Sequence, residues 1–122
     1  PRPVSSAASD VYKRQLDDRL VKQIGFSKKV SELVKDQAKI ASKAKLDAIV
    51  CSPLEVRLVK KYFKNEIITP GIRFNSKLND QKRTLNPRQA FKNGSDWLVI
   101  GRPITKGNIK NNLKNLTAHL IK

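Results

Sequence analysis

Short apolar runs alternate with amphipathic stretches along this chain, and the alternation predicts strand–helix units. From Ser27, the residues Val30, Leu33, Val34, Ala38 and Ala41 recur at helical spacing, with the Ser27 hydroxyl placed to cap the first turn. Leu46-Asp47-Ala48-Ile49-Val50-Cys51 is a strand candidate. Ser52-Pro53 predicts the next helix start, because a proline in the first turn loses no hydrogen bond. Leu54, Leu58, Val59 and Tyr62 would form that helix's apolar stripe. Glu66 to Thr69 reads as a second strand and Trp97 to Ile100 as a third. Between them, Asn86-Pro87 opens a short helix that Asn93-Gly94 closes. Ile109, Leu113, Leu116 and Leu120 mark a final amphipathic helix. Residues 74–85 form a polar connection, and a loop of that length in a compact domain is usually functional or disordered.

The predicted order is helix, strand, helix, strand, helix, strand, helix. The strands are continuous apolar runs, the pattern of parallel strands covered on both faces. The fold class is therefore α/β, built from right-handed βαβ units. Three strands cannot close a barrel. They would leave two free edges and bare apolar residues such as Ile49, Ile68 and Val99. The pattern points to part of something larger.

Residues 1–15 break the rhythm. They are Ser/Ala-rich and aperiodic, with prolines at 1 and 3. Val4 to Gln15 resembles translated adapter sequence at the broken ends of metagenomic reading frames; a natural disordered tail is the alternative. We expect residues 1–15 to be a non-native or disordered leader and residues 16–122 to be the native portion.

Composition changes the picture in three ways. At 122 residues the chain is one modest domain, and an α/β barrel typically needs roughly 200 or more. Twenty-six Lys+Arg against 10 Asp+Glu give a net charge of +16, which raises a small basic nucleic-acid-binding protein as an alternative. The lysines, however, are spread through every segment and often sit beside asparagine, as in Lys110-Asn111-Asn112, which reads as solvated helix faces. No zinc-ligand set or aromatic-rich strand accompanies them, so no nucleic acid is expected. The single Cys51 excludes an internal disulfide and fits a reducing, cytoplasmic setting; in an apolar run it reads as a small packing residue. His119 stands alone on the last helix, far from any predicted partner. No run approaches the ~18 apolar residues of a membrane span, so no membrane partner is expected.

The candidate chemistry lies in two repeats of one pattern. Glu66-Ile67-Ile68 leads into Thr69-Pro70-Gly71-Ile72-Arg73, and Trp97-Leu98-Val99-Ile100 leads into Gly101-Arg102-Pro103-Ile104. Each is strand, glycine, arginine. Glycine lets a ligand approach the backbone, and arginine offers a fork of donors that matches a phosphate. On parallel neighbouring strands both turns open on one edge, the place of the phosphate cradle in α/β barrels.

These stretches, with Ile49-Val50-Cys51-Ser52-Pro53-Leu54-Glu55, Asp80-Gln81-Lys82-Arg83 and Asn86-Pro87, resemble the C-terminal part of the orotidine 5′-phosphate decarboxylases, in order and at near-family spacing. The resemblance implies a (β/α)8 TIM barrel in which these strands are the sixth, seventh and eighth. It implies decarboxylation of orotidine 5′-monophosphate to uridine 5′-monophosphate, in pyrimidine nucleotide synthesis, with no cofactor or metal, by a homodimer. It also implies roles: Arg102 pairs with the phosphate while the Gly101 and Arg102 backbone lies against it. Gln81 closes over the substrate, Arg73 contacts it, and Pro70 and Gly71 shape the turn. The resemblance departs at Phe74, where many relatives carry proline. The family's catalytic Lys/Asp array lies on earlier strands and has no counterpart here; Asp17-Asp18 and Asp47 do not supply it. The expected reading is a C-terminal fragment that keeps the phosphate rim and lacks the catalytic residues. A different phosphate-binding barrel, acting on a sugar phosphate, is a further alternative. For Arg73 the plainer reading is a salt bridge at the rim, and for Gln81 a solvated loop residue.

Overall fold

A computed structural model describes residues 17–74 and 85–121. Helices α1 (Asp18–Gln23) and α2 (Val30–Lys43) precede strand β1 (Ala48–Val50). Then follow α3 (Val56–Tyr62), β2 (Glu66–Thr69), α4 (Pro87–Asn93), β3 (Trp97–Leu98), α5 (Arg102–Thr105) and α6 (Ile109–Ile121). The strands form one parallel sheet in the order β1-β2-β3, as the apolar runs predicted.

The sequence signals hold best where they are local. The Asn86 side chain accepts from Gln89 N–H at 2.8 Å, Pro87 opens α4, and Gly94 closes it at φ 116°. Strand Glu66–Thr69 has the predicted bounds. Other boundaries move, each for a physical reason. Ser27 does not cap α2. Lys29 occupies the cap, and the Val30 N–H is met by the Asp18 carboxylate at 2.8 Å, brought from the preceding helix. Helix α1 itself was not foreseen; Asp17 caps it by accepting from Leu20 N–H. Ser52-Pro53 opens a tight turn rather than a helix: Glu55 N–H donates to the Ser52 carbonyl at 3.0 Å, and α3 begins after it. Leu54 is consequently exposed instead of joining an apolar stripe. The third strand is shorter than predicted, and Gly101 leads into the unforeseen one-turn α5. The expectations for residues 1–15 lie outside the described residues.

The core sits on one face of the sheet. Ala38 and Ala41 of α2 and Val56 and Val59 of α3 pack with Phe63 on Ile67, and Ile49 of β1 and Cys51 just after it join them. Register explains why. Ile49 pairs with Ile67, so both point to the helices; Val50 pairs with Ile68 and Ile68 with Trp97, so these three point the other way. Among the described residues no helix covers that opposite face. Val50 is 49% exposed, Trp97 58% and Val99 53%. Ile49 therefore differs from the expectation of a bare residue and belongs to the covered face; Ile68, on the other face, is partly buried, and Val99 is exposed as expected. Across the open face the Trp97 indole N–H donates to the Glu66 carboxylate at 3.1 Å.

Candidate functional site

The C-terminal ends of β2 and β3 are adjacent, so the two glycine–arginine turns share one edge of the sheet. The strand ends beneath them are tied together. The buried Ser95 hydroxyl contacts the buried Thr69 hydroxyl at 2.7 Å and donates toward the Trp97 carbonyl at 2.9 Å. Asp96 N–H donates to the Ile67 carbonyl at 2.9 Å, and Val99 N–H to the Thr69 carbonyl at 2.9 Å. The Asp96 carboxylate accepts from Ile67 N–H at 2.8 Å and pairs with Lys60 at 3.3 Å. The Ile67 N–H first, and Lys60 with it, hold its carboxyl below the ordinary carboxylate value. None of Ser95, Asp96 or Thr69 was foreseen as a support. The one signal available was a short polar pair, Ser95-Asp96, between a helix-ending glycine and an apolar strand.

At the rim, Gly71 adopts φ 76°, where a side chain would be strained. A Cβ at Gly71 or Gly101 would meet nothing within 4 Å, so both backbones are open to an incoming group. Pro70 is half-buried and fixes the turn's start. Ile72 and Phe74 are buried and Arg73 between them is exposed, so the chain alternates and presents Arg73 outward. Arg73 N–H donates to the Leu85 carbonyl at 3.4 Å, which brings the two ends of the 75–84 connection together. Arg102 is exposed at the first position of α5, where a helix has no acceptor of its own for the N–H. One turn carries little dipole, so the guanidinium is the main charge there. Among the described residues neither Arg73 nor Arg102 has a hydrogen-bonded or ionic side-chain partner. Gln81 lies outside the described residues.

The arrangement suits holding an anion more than breaking a bond. Cys51, at the end of β1, is a poor nucleophile: burial, with Glu55 adding to it, pushes its thiol up to about 12. No group of three or more His, Cys, Asp or Glu able to hold a metal occurs among the described residues. His119 is not solitary as predicted. Its ring lies 5.6 Å from that of Phe74, tilted by 53°, and its Nδ1 is 2.8 Å from the Asn115 carbonyl.

Parallel βα units, with an exposed arginine just beyond each of two adjacent strand ends, define an α/β protein. The chain belongs to the Orotidine 5'-phosphate decarboxylase / HUMPS family, whose model matches residues 15–114. It is 59% identical over 69 residues to the orotidine 5'-phosphate decarboxylase of Wigglesworthia glossinidia brevipalpis, covering 54% of this chain and 30% of that protein. It is 45% identical over 94 residues to that of Coxiella burnetii (strain RSA 331 / Henzerling II), covering 75% and 40%. The crystal structure of orotidine 5'-phosphate decarboxylase from Lactobacillus acidophilus matches with a TM-score of 0.67 at 28% identity, over 88% of this chain and 45% of the other. The chain thus spans less than half the length of these relatives, and its three-stranded sheet corresponds to part of a (β/α)8 barrel.

Proposed function

We propose that this chain supplies the phosphate-gripping part of an orotidine 5′-phosphate decarboxylase. One observation carries the reading: in a chain of this family, two arginines without partners among the described residues stand at the ends of adjacent parallel strands, beside glycines with open space. Arg102 pairs with the phosphate of orotidine 5′-monophosphate, and the Gly101-Arg102 backbone lies against it. Arg73 adds a second contact, Pro70 and Gly71 hold its turn open, and Gln81 reaches over the substrate. Charge-assisted, two-pronged hydrogen bonds make arginine effective in that role. By the resemblance, the reaction draws on no cofactor or metal, and the proton donor and its carboxylates come from strands this sequence does not contain. The working form is a cytoplasmic homodimer of complete barrels. No helix among the described residues is long and apolar enough to cross a membrane.

The test is to co-express the chain with the N-terminal portion of the Wigglesworthia relative and follow loss of orotidine 5′-monophosphate by absorbance. The chain alone should give no turnover, since the transition-state contacts are missing. The complex should give turnover. Activity of the chain alone, or a well-folded complex without activity, would show the reading to be wrong.

The same complex tests the Asp96 support. A carboxyl held below its ordinary pKa adds stability above the unfolded-state value and loses it as pH falls through the folded-state value. Acid unfolding should therefore draw on Asp96 below the ordinary 3.8. Asp96→Asn should lower the neutral-pH melting temperature and flatten the acid limb of the stability curve, read by circular dichroism. Parallel curves for the two proteins would show that the carboxylate does not contribute.

A further inference from the structure

The last helix touches both arginine-bearing segments of the rim, at two points on one of its faces. Near its start, the Asn112 side-chain amide donates to the Ile104 carbonyl at 2.9 Å and the Lys106 carbonyl at 2.8 Å. Those carbonyls belong to the end of α5, whose first residue is Arg102, and to the residue that follows it. Near its end, His119 lies against Phe74, the residue after Arg73. Asn112 and His119 are seven residues apart, close to two helical turns, so both project from the same side of α6. The His119 ring is itself oriented by its Nδ1 contact to the Asn115 carbonyl one turn back. Phe74 is 9% exposed, and Arg73 points away from it by alternation.

We infer that α6 is a spacer that sets the separation of Arg73 and Arg102, with Asn112 and His119 as the positioning residues at its two contacts. The inference rests on the phosphate reading above and deepens it. Neither residue touches the substrate. A phosphate held by two separate guanidinium groups needs them at a fixed distance, and the sheet alone does not provide it. Each arginine lies beyond its strand, on a turn of four residues or fewer. A rigid helix contacting both turns fixes what the strand ends leave adjustable. The two contacts differ in kind. Asn112 holds its segment by donating to carbonyls that the one-turn α5 leaves without helical partners. His119 holds its segment by an aromatic pair.

The test is a set of double-mutant cycles in the complex with the N-terminal half, assembly being checked by the emission of Trp97. His119→Ala should lower kcat/KM for orotidine 5′-monophosphate about two- to tenfold, the scale of a lost aromatic pair. His119→Phe, which keeps a ring against Phe74, should restore it. Asn112→Asp keeps the size but turns donors into acceptors, and should lower kcat/KM about tenfold. Positioning predicts that each loss is specific. The His119→Ala effect should vanish in an Arg73→Ala background and the Asn112→Asp effect in an Arg102→Ala background. Neither should appear with orotidine, which has no phosphate. Equal losses in both backgrounds, or equal losses on orotidine, would make the residues merely structural and overturn the inference. So would an unaffected His119→Ala protein in which Arg73→Ala is impaired. If Arg73→Ala and Arg102→Ala themselves left the phosphorylated substrate unaffected, the phosphate reading would be the part that failed, and the spacer with it.

Discussion

Arg102→Ala is expected to lower kcat/KM for orotidine 5′-monophosphate by several powers of ten in the completed barrel. Arg102 is exposed at the rim, and its guanidinium has no partner among the described residues, so the substitution removes no internal bond seen there. What it removes is a charge-assisted grip on a dianion remote from the bond that breaks. Binding energy at such a remote group can organise the reacting centre, so its loss reaches kcat as well as KM. Each tenfold corresponds to about 1.4 kcal/mol, and charged pairs shielded from water reach several of these. Gln81→Ala should act in the same direction more weakly, because a neutral amide bonds a dianion less strongly. With orotidine, neither change should matter, since the partner is absent in both proteins. Equal slowing of orotidine and its phosphate by Arg102→Ala would assign the residue a structural role.

By itself the chain is expected to be poorly soluble and to melt without a sharp transition, and completion of the barrel should reverse both. The open sheet face is the cause. Val50 and Val99 would each contribute about 1.5–3 kcal/mol on passing from exposed to buried, and at about half exposure much of that is still ungained. The unpaired edges of β1 and β3 add backbone groups ready to pair with another strand. Trp97, the only tryptophan, stands on this face and reports on it directly. Its emission should shift to the blue as the N-terminal half covers it. A monodisperse chain that melts cooperatively alone, with Trp97 emission unchanged by the other half, would count against an incomplete barrel.

What could be read from the sequence was what neighbouring residues decide among themselves. Asn86-Pro87 and Gly94 bound α4 because a cap and a left-handed turn need only local chemistry. The run at 66–69 became a strand for the same reason, and the glycine–arginine repeats fall just after β2 and β3. Contacts between distant segments were not legible. The carboxylate that meets the α2 start comes from Asp18, twelve residues away, so Ser27 looked like the cap. Which face a strand residue takes depends on register, so Ile49 looked as bare as Ile68. Ser95 and Asp96 read as a loop because their partners, Thr69 and Ile67, lie in another strand. His119 looked solitary because Phe74 is brought to it only by folding.

The strand order has a consequence for how the chain assembles. Each strand pairs only with its neighbour in sequence, from Ala48 against Glu66 and then from Ile68 against Trp97. No pairing has to wait for a distant segment to be made. The second closure spans about half again as many residues as the first, and each doubling of a loop adds only about 0.6 kcal/mol. The sheet can therefore grow one unit at a time, in the order of synthesis, always extending at its newest edge. A fold that accretes this way can be divided between units so that pairing is lost only at the cut edges, which makes two-piece reconstitution a physically reasonable experiment.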